Sequence, residues 1–229
     1  MANEELLAGI RDRLRAAADP VRAAGSQAYM KSVMPTLGVR VPEVRKITAA
    51  AFAQWPCGSV DELRSTVLQL WRSATFREER YAAIDLTGSR VVRGRLEMLP
   101  VYEEIIRTGA WWDLVDGVAH RIGELLQAHR AELDGVLRRW SEDPDMWIRR
   151  SSIIAQLGAK ANTDAGLLAT VIQANLSDRE FFIRKAIGWA LREYAKTDPA
   201  WVREFVAKHK ADLSPLSRRE ALRNLPAEA

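Results

Sequence analysis

Apolar residues recur at helical spacing along almost the whole chain. Between positions 111 and 125, Trp111, Val115, Val118, Ile122 and Leu125 share one stripe of a helix, whereas Trp112, Asp116 and Gly123 cluster about 120° from its centre. From 183 to 194, Ile183, Ile187, Ala190, Leu191 and Tyr194 form a second core stripe. Phe182, Lys185, Trp189, Arg192 and Lys196 fall on the opposite side of that helix. A third helix, read from 146, puts Arg150 on one face with Met146, Trp147, Ile154 and Leu157. Alternating β-branched runs, the mark of strands, are missing. The pattern predicts an all-α fold.

Breaks between these helices fall at Asp19-Pro20, Gly38 to Pro42, Trp55-Pro56-Cys57-Gly58, Gly88-Ser89, Gly109, Asp143-Pro144, Asn162-Thr163-Asp164, Asp198-Pro199 and Ser214-Pro215. In Asp143-Pro144 and Asp198-Pro199 a capping carboxylate precedes a proline, which predicts a helix starting at the proline. A weak repeat underlies the breaks. Phe76, Trp112, Trp147 and Phe182 recur about every 35 residues near helix starts, and Trp147-Ile148-Arg149-Arg150 is echoed by Phe182-Ile183-Arg184-Lys185. A helical-pair unit of this period predicts a HEAT-like solenoid with one concave face, to which the helices of Trp112, Arg150 and Trp189 contribute in turn. Neither a long linker nor a low-complexity segment interrupts the chain, so a single domain over 1–229 is expected.

Composition narrows the function. The 229 residues suffice for a sizeable core. Lys and Arg number 34 against 30 Asp and Glu, a net charge of +4 with a sequence pI near 9.4, which favours an anionic partner. Cys57 is the only cysteine, which excludes an intramolecular disulfide and fits a reducing compartment. His120, His129 and His209 follow no zinc spacing, so no metal and no cofactor is expected. The N-terminus lacks the features of a signal peptide and no apolar run is long enough for a membrane span. A cytoplasmic protein is expected.

Three segments carry candidate chemistry. Trp112 and Asp116 are i,i+4 neighbours, placing an aromatic plate beside a carboxylate away from the core stripe, and Gly123 is expected to leave the surface bare one to two turns further on. A Trp on a helix face there is ordinarily packing and an acid ordinarily solvated. Trp189 sits among the cations Lys185, Arg192 and Lys196; packing against another element would explain it, and so would stacking of a base or sugar beside phosphates. Arg150 lies among apolar neighbours, where a guanidinium needs a carboxylate or an anion unless its head reaches water. Asp116 or a ligand anion would supply the counter-charge.

These stretches, together with Tyr29-Met30-Lys31, Leu37-Gly38-Val39, Pro42-Glu43, the run Glu180 to Lys196, Leu213 to Ser217 and Arg219-Glu220-Ala221, resemble the DNA alkylation repair enzymes of the AlkD type. The resemblance spans nearly the whole chain in order. It implies a HEAT-repeat DNA glycosylase that removes cationic N3- or N7-alkylated purines from duplex DNA. On this resemblance the catalytic carboxylate falls on Asp116, the cleft tryptophans on Trp112 and Trp189, and the cleft arginine on Arg150. DNA contacts are expected from Tyr29, Lys31, Trp147, Arg149, Phe182, Lys185, Arg192 and Lys196. A shallow cleft that leaves the base unenclosed is implied, and a monomer suffices to wrap the duplex. The competing readings are a DNA-binding scaffold without catalysis, a member specialised for bulky adducts, and a protein-binding solenoid.

Overall fold

The computed structural model describes residues 1–226, which form thirteen α-helices and no strand. They group into two compact units, Met1–Val101 and the chain from Tyr102 onward. The first holds α1 (Glu4–Ala16), α2 (Pro20–Met30), α3 (Val41–Gln54), α4 (Val60–Arg72) and α5 (Arg77–Leu86). A 3₁₀ turn, Leu96–Met98, leads into α6 (Leu99–Gly109), which runs across the boundary. The second unit continues with α7 (Trp112–Ala128), α8 (Arg130–Ser141), α9 (Met146–Ile154), α10 (Ala165–Gln173), α11 (Phe181–Tyr194), α12 (Pro199–Lys208) and α13 (Pro215–Leu222). No described helix is long and apolar enough to cross a membrane.

Local chemistry sets most of these boundaries. Asp19, Asp198 and Ser214 cap α2, α12 and α13 by accepting backbone N–H bonds at 2.9, 2.9 and 3.0 Å, each followed by a proline at the first helical position. Asp143-Pro144 behaves differently from its sequence signal. The Asp143 carboxylate is taken by Arg107, at 3.1 and 2.8 Å, and by the Asp145 N–H, at 2.8 Å. Asp145 therefore becomes the cap, accepting from Trp147 N at 2.9 Å, and α9 starts two residues later than the proline. The hydrogen bonds from Arg107 hold the Asp143 carboxyl below its usual range.

In the first unit α3 packs against α1 and α5. Three consecutive charged residues at the start of α5, Arg77, Glu78 and Glu79, are buried. Glu78 accepts hydrogen bonds from the Thr36 hydroxyl at 2.6 Å and from the backbone N–H groups of Leu37, Gly38 and Val39 at 2.9, 2.8 and 3.1 Å. A carboxylate so enclosed stands only because its lone pairs are filled by donors. It latches the segment between α2 and α3 onto α5. Glu78→Gln, whose amide nitrogen faces donors, is expected to cost about 1–3 kcal/mol; denaturant unfolding measures this, and an unchanged midpoint would contradict the latch.

In the second unit α7, α9, α11 and α13 pack side by side in that order, with α8 and α10 forming a neighbouring layer. Most of the stripes read from the sequence are buried, Val115, Val118, Ile122 and Leu125 on α7 and Ile183, Ile187, Ala190 and Leu191 on α11, while Trp111 and Tyr194 are only half-buried. Polar rungs repeat between successive helical pairs. Arg107 meets Asp143 across 36 residues, Arg130 meets Asp164 across 34, Arg138 donates to Thr170 across 32, and Gln173 meets His209 across 36. These separations are the repeat period made physical.

The aromatic repeat shifts by one residue from its sequence reading. Trp111, not Trp112, joins Trp147 and Phe182, with ring centroids 6.2 Å from Trp147 and 5.6 Å from Phe182; Trp147 and Phe182 are 5.0 Å apart. Trp111 caps α7 in an extended conformation, which turns its ring into this cluster and leaves Trp112 about 100° further around the helix. Gly123 also departs from expectation. It does not leave a bare surface, because a Cβ there would stand 2.5 Å from the Ala155 carbonyl oxygen. The glycine lets α7 approach the end of α9. Gly123→Ala gains helix propensity of up to ~1 kcal/mol but forces backbone apart at an overpacking cost of about 1–3 kcal/mol, so a lower melting temperature is expected and a higher one would show that the approach yields.

Candidate functional site

The arrangement around Asp116 is built from neighbouring inner helices. Arg150, on the second turn of α9, is 5% exposed. Its Nε donates to Asp116 Oδ1 at 2.8 Å and its Nη2 to Asp116 Oδ2 at 2.7 Å, a two-pronged contact between α9 and α7. Its Nη1 donates to the Phe182 carbonyl oxygen at 2.6 Å, which draws in α11. The guanidinium thus meets the carboxylate that its apolar surroundings require. Three of its five N–H donors are engaged inside the protein, so Arg150 holds Asp116 in a fixed orientation.

Asp116 keeps a route outward. Its side chain is 17% exposed, and each oxygen accepts one bond from Arg150, leaving further acceptor capacity on the carboxylate. Trp112 stands one turn earlier on the same face of α7 and is half-buried. The Trp111–Trp147–Phe182 cluster joins the N-terminal ends of α7, α9 and α11, with Phe181 adding an edge-on contact to Phe182 at 5.4 Å. That cluster explains why the ends carrying the Arg150 bonds hold their spacing.

On α11, Trp189 is half-buried at the margin between core and solvent. Lys185 and Arg192 flank it, and both reach Glu220 of α13, at 3.2 and 2.6 Å; Lys196 pairs with Glu193 at 2.6 Å. The approach of α13 depends on Gly188, where a Cβ would stand 2.6 Å from the Glu220 Cβ and 3.1 Å from the Ser217 carbonyl oxygen. The Ser217 hydroxyl donates to the Arg184 carbonyl oxygen at 2.9 Å. Burial raises the Glu220 carboxyl, but the hydrogen bond and charge of Lys185, with Arg192 and Arg223, outweigh this and hold it below the usual carboxylate range.

The remaining candidates separate. Trp147 is 6% exposed within the aromatic cluster, and Phe182 contributes its ring to the cluster and its carbonyl to Arg150. Arg149 donates to the Asp143 and Pro144 carbonyl oxygens at 2.7 and 3.0 Å and to Asp178 at 2.9 Å. All three also engage protein groups, as do Lys185, Arg192 and Lys196. Tyr29, 77% exposed, and Lys31, the left-handed residue ending α2, belong to the first unit. Sequence spacing marks neither Trp111 nor Glu220 as a site residue. Trp111 is masked by its equally aromatic neighbour, and Glu220 lies 28 residues from Arg192 in sequence, with no local spacing to mark it.

The sequence model for "DNA alkylation repair enzyme" matches residues 10–225. A solved structure described as a predicted DNA alkylation repair enzyme from Enterococcus faecalis is 33% identical, covers 92% of this chain and 98% of its own, and superposes with a TM-score of 0.82. AlkD2 from Streptococcus mutans, at 14% identity, is similar in fold over 89% of this chain and 99% of its own, with a TM-score of 0.63. Among curated proteins no sequence matches.

Proposed function

Since this chain belongs to the DNA alkylation repair enzyme family, we propose that it hydrolyses the N-glycosidic bond of cationic N3- or N7-alkylated purines in duplex DNA. The observation that carries the reading is the Asp116 carboxylate, oriented by both prongs of a buried guanidinium and still open to solvent beside Trp112.

The chemistry asks little else of the protein. An alkylated purine cation leaves with the electron pair of the C1′–N bond and becomes neutral, so no acid has to protonate it. The sugar left behind develops oxocarbenium character, which a fixed carboxylate stabilises electrostatically. Asp116 also accepts a hydrogen bond from the water that adds to C1′ and takes the proton this water loses, passing it on to solvent. Trp112 and Trp189 supply aromatic faces to the cationic base, each worth about 0.5–2 kcal/mol. Lys185, Arg192 and Lys196 contact the DNA backbone from the second unit, and Tyr29 and Lys31 are separate backbone contacts of the first. No enclosed pocket is needed, because charge and lability of the lesion provide the selectivity, and one chain acts alone.

Single-turnover incubation with a duplex carrying N7-methylguanine tests the proposal. Release of the free base, leaving an abasic strand, is expected. A protein that binds this duplex and releases neither N7-methylguanine nor N3-methyladenine is a DNA-binding scaffold, and the proposal fails.

A further inference from the structure

Glu220 is 12% exposed, arises from a different helix than its partners, and touches two cations of the Trp189 face at once. On α11, Lys185 and Arg192 lie about 40–60° from Gly188, the point of contact with α13, whereas Trp189 lies about 100° away. Both cations are therefore drawn to the α13 side of the tryptophan. The pairs contribute little to holding the helices together, since they are partly exposed and such pairs are worth about 0–1 kcal/mol. The close approach at Gly188 and the Ser217–Arg184 bond already dock α13. A carboxylate placed against a face that would otherwise attract phosphates calls for another explanation.

We propose that Glu220 is a positioning residue that limits the grip of α11 on DNA. Resting on the reading that the Trp189 face meets the duplex, it holds Lys185 and Arg192 in place and leaves the pair one net positive charge instead of two. The consequence is weaker attachment to undamaged duplex, where phosphate attraction is the whole of the affinity. A lesion-searching protein gains mobility from this, because the aromatic and carboxylate contacts that recognise a cationic base are left intact.

The test is the salt dependence of binding to an unmodified, fluorescently labelled duplex, followed by anisotropy with the full chain between 50 and 200 mM salt. Glu220→Gln keeps the side chain's shape and should bind more tightly. Its log–log slope should be steeper than wild type by about 0.9, so its advantage shrinks about 3.5-fold across that range. Lys185→Gln should shift the slope equally in the opposite direction, and the double variant should return to the wild-type slope. A purely structural ion pair predicts lower melting temperatures with unchanged slopes, which would overturn the proposal. A shallower slope for Glu220→Gln would overturn it too. If Lys185→Gln responds and Glu220→Gln does not, the DNA face stands and the role of Glu220 falls; if the wild type shows no salt-dependent duplex binding, both fall.

Discussion

Asp116→Asn is expected to slow single-turnover base release from an alkylated duplex by about 10²–10³-fold, the range seen when one preorganised electrostatic group is removed from a transition state. The amide matches the carboxylate in shape but brings no negative charge to the sugar cation. One of its two heavy atoms becomes a donor facing an Arg150 donor, so part of the fork is lost while the other prong remains. Affinity for the same duplex should stay within a few fold, because Asp116 touches no phosphate in the proposed site. Rates and anisotropy measured on one folded preparation separate the two effects. A parallel loss of binding, or an unaltered rate, would remove Asp116 from the chemistry.

Arg150→Met is expected to destabilise the fold by about 3–5 kcal/mol, toward the lower end because Asp116 keeps some contact with water. Methionine fills the volume but strands the Asp116 carboxylate and the Phe182 carbonyl oxygen together. At roughly 2–4 °C per kcal/mol for a chain of this size, the melting temperature falls by about 6–20 °C. Arg150→Lys separates orientation from charge. Lysine retains the cation but not the planar fork, so it should recover part of the stability and little of the excision rate. Full recovery of both would show that charge alone, and not the two-pronged geometry, is what Asp116 requires.

Much of this site was legible in one dimension for reasons that are local. Trp112 and Asp116 share a face because a helix turns about 100° per residue, and Arg150 demanded a counter-charge because a guanidinium among apolar residues is costly wherever it occurs. Sequence and structure part where a second element intervenes. Pro144 looked like a helix start until Arg107 claimed Asp143, and Gly123 looked like open surface until α9 arrived against it. The basic face of α11 reads as unopposed charge in the sequence, and Glu220 brings one carboxylate to two of its three cations.

By itself, the sequence determined the all-helical class, the buried stripes, most of the capped helix starts and the period of about 35 residues. Each depends on backbone geometry and apolar burial, which act over a few turns or recur from repeat to repeat. Tertiary structure alone decided which of Trp111 and Trp112 enters the aromatic cluster, that Arg150 serves Asp116 and the Phe182 carbonyl, that Glu78 latches the segment before α3, and that α13 brings a carboxylate to Lys185 and Arg192. Those are pairings between groups about 28 to 41 residues apart, and a charge or hydrogen-bonding group chooses its partner by distance in space, which no local spacing along the chain encodes.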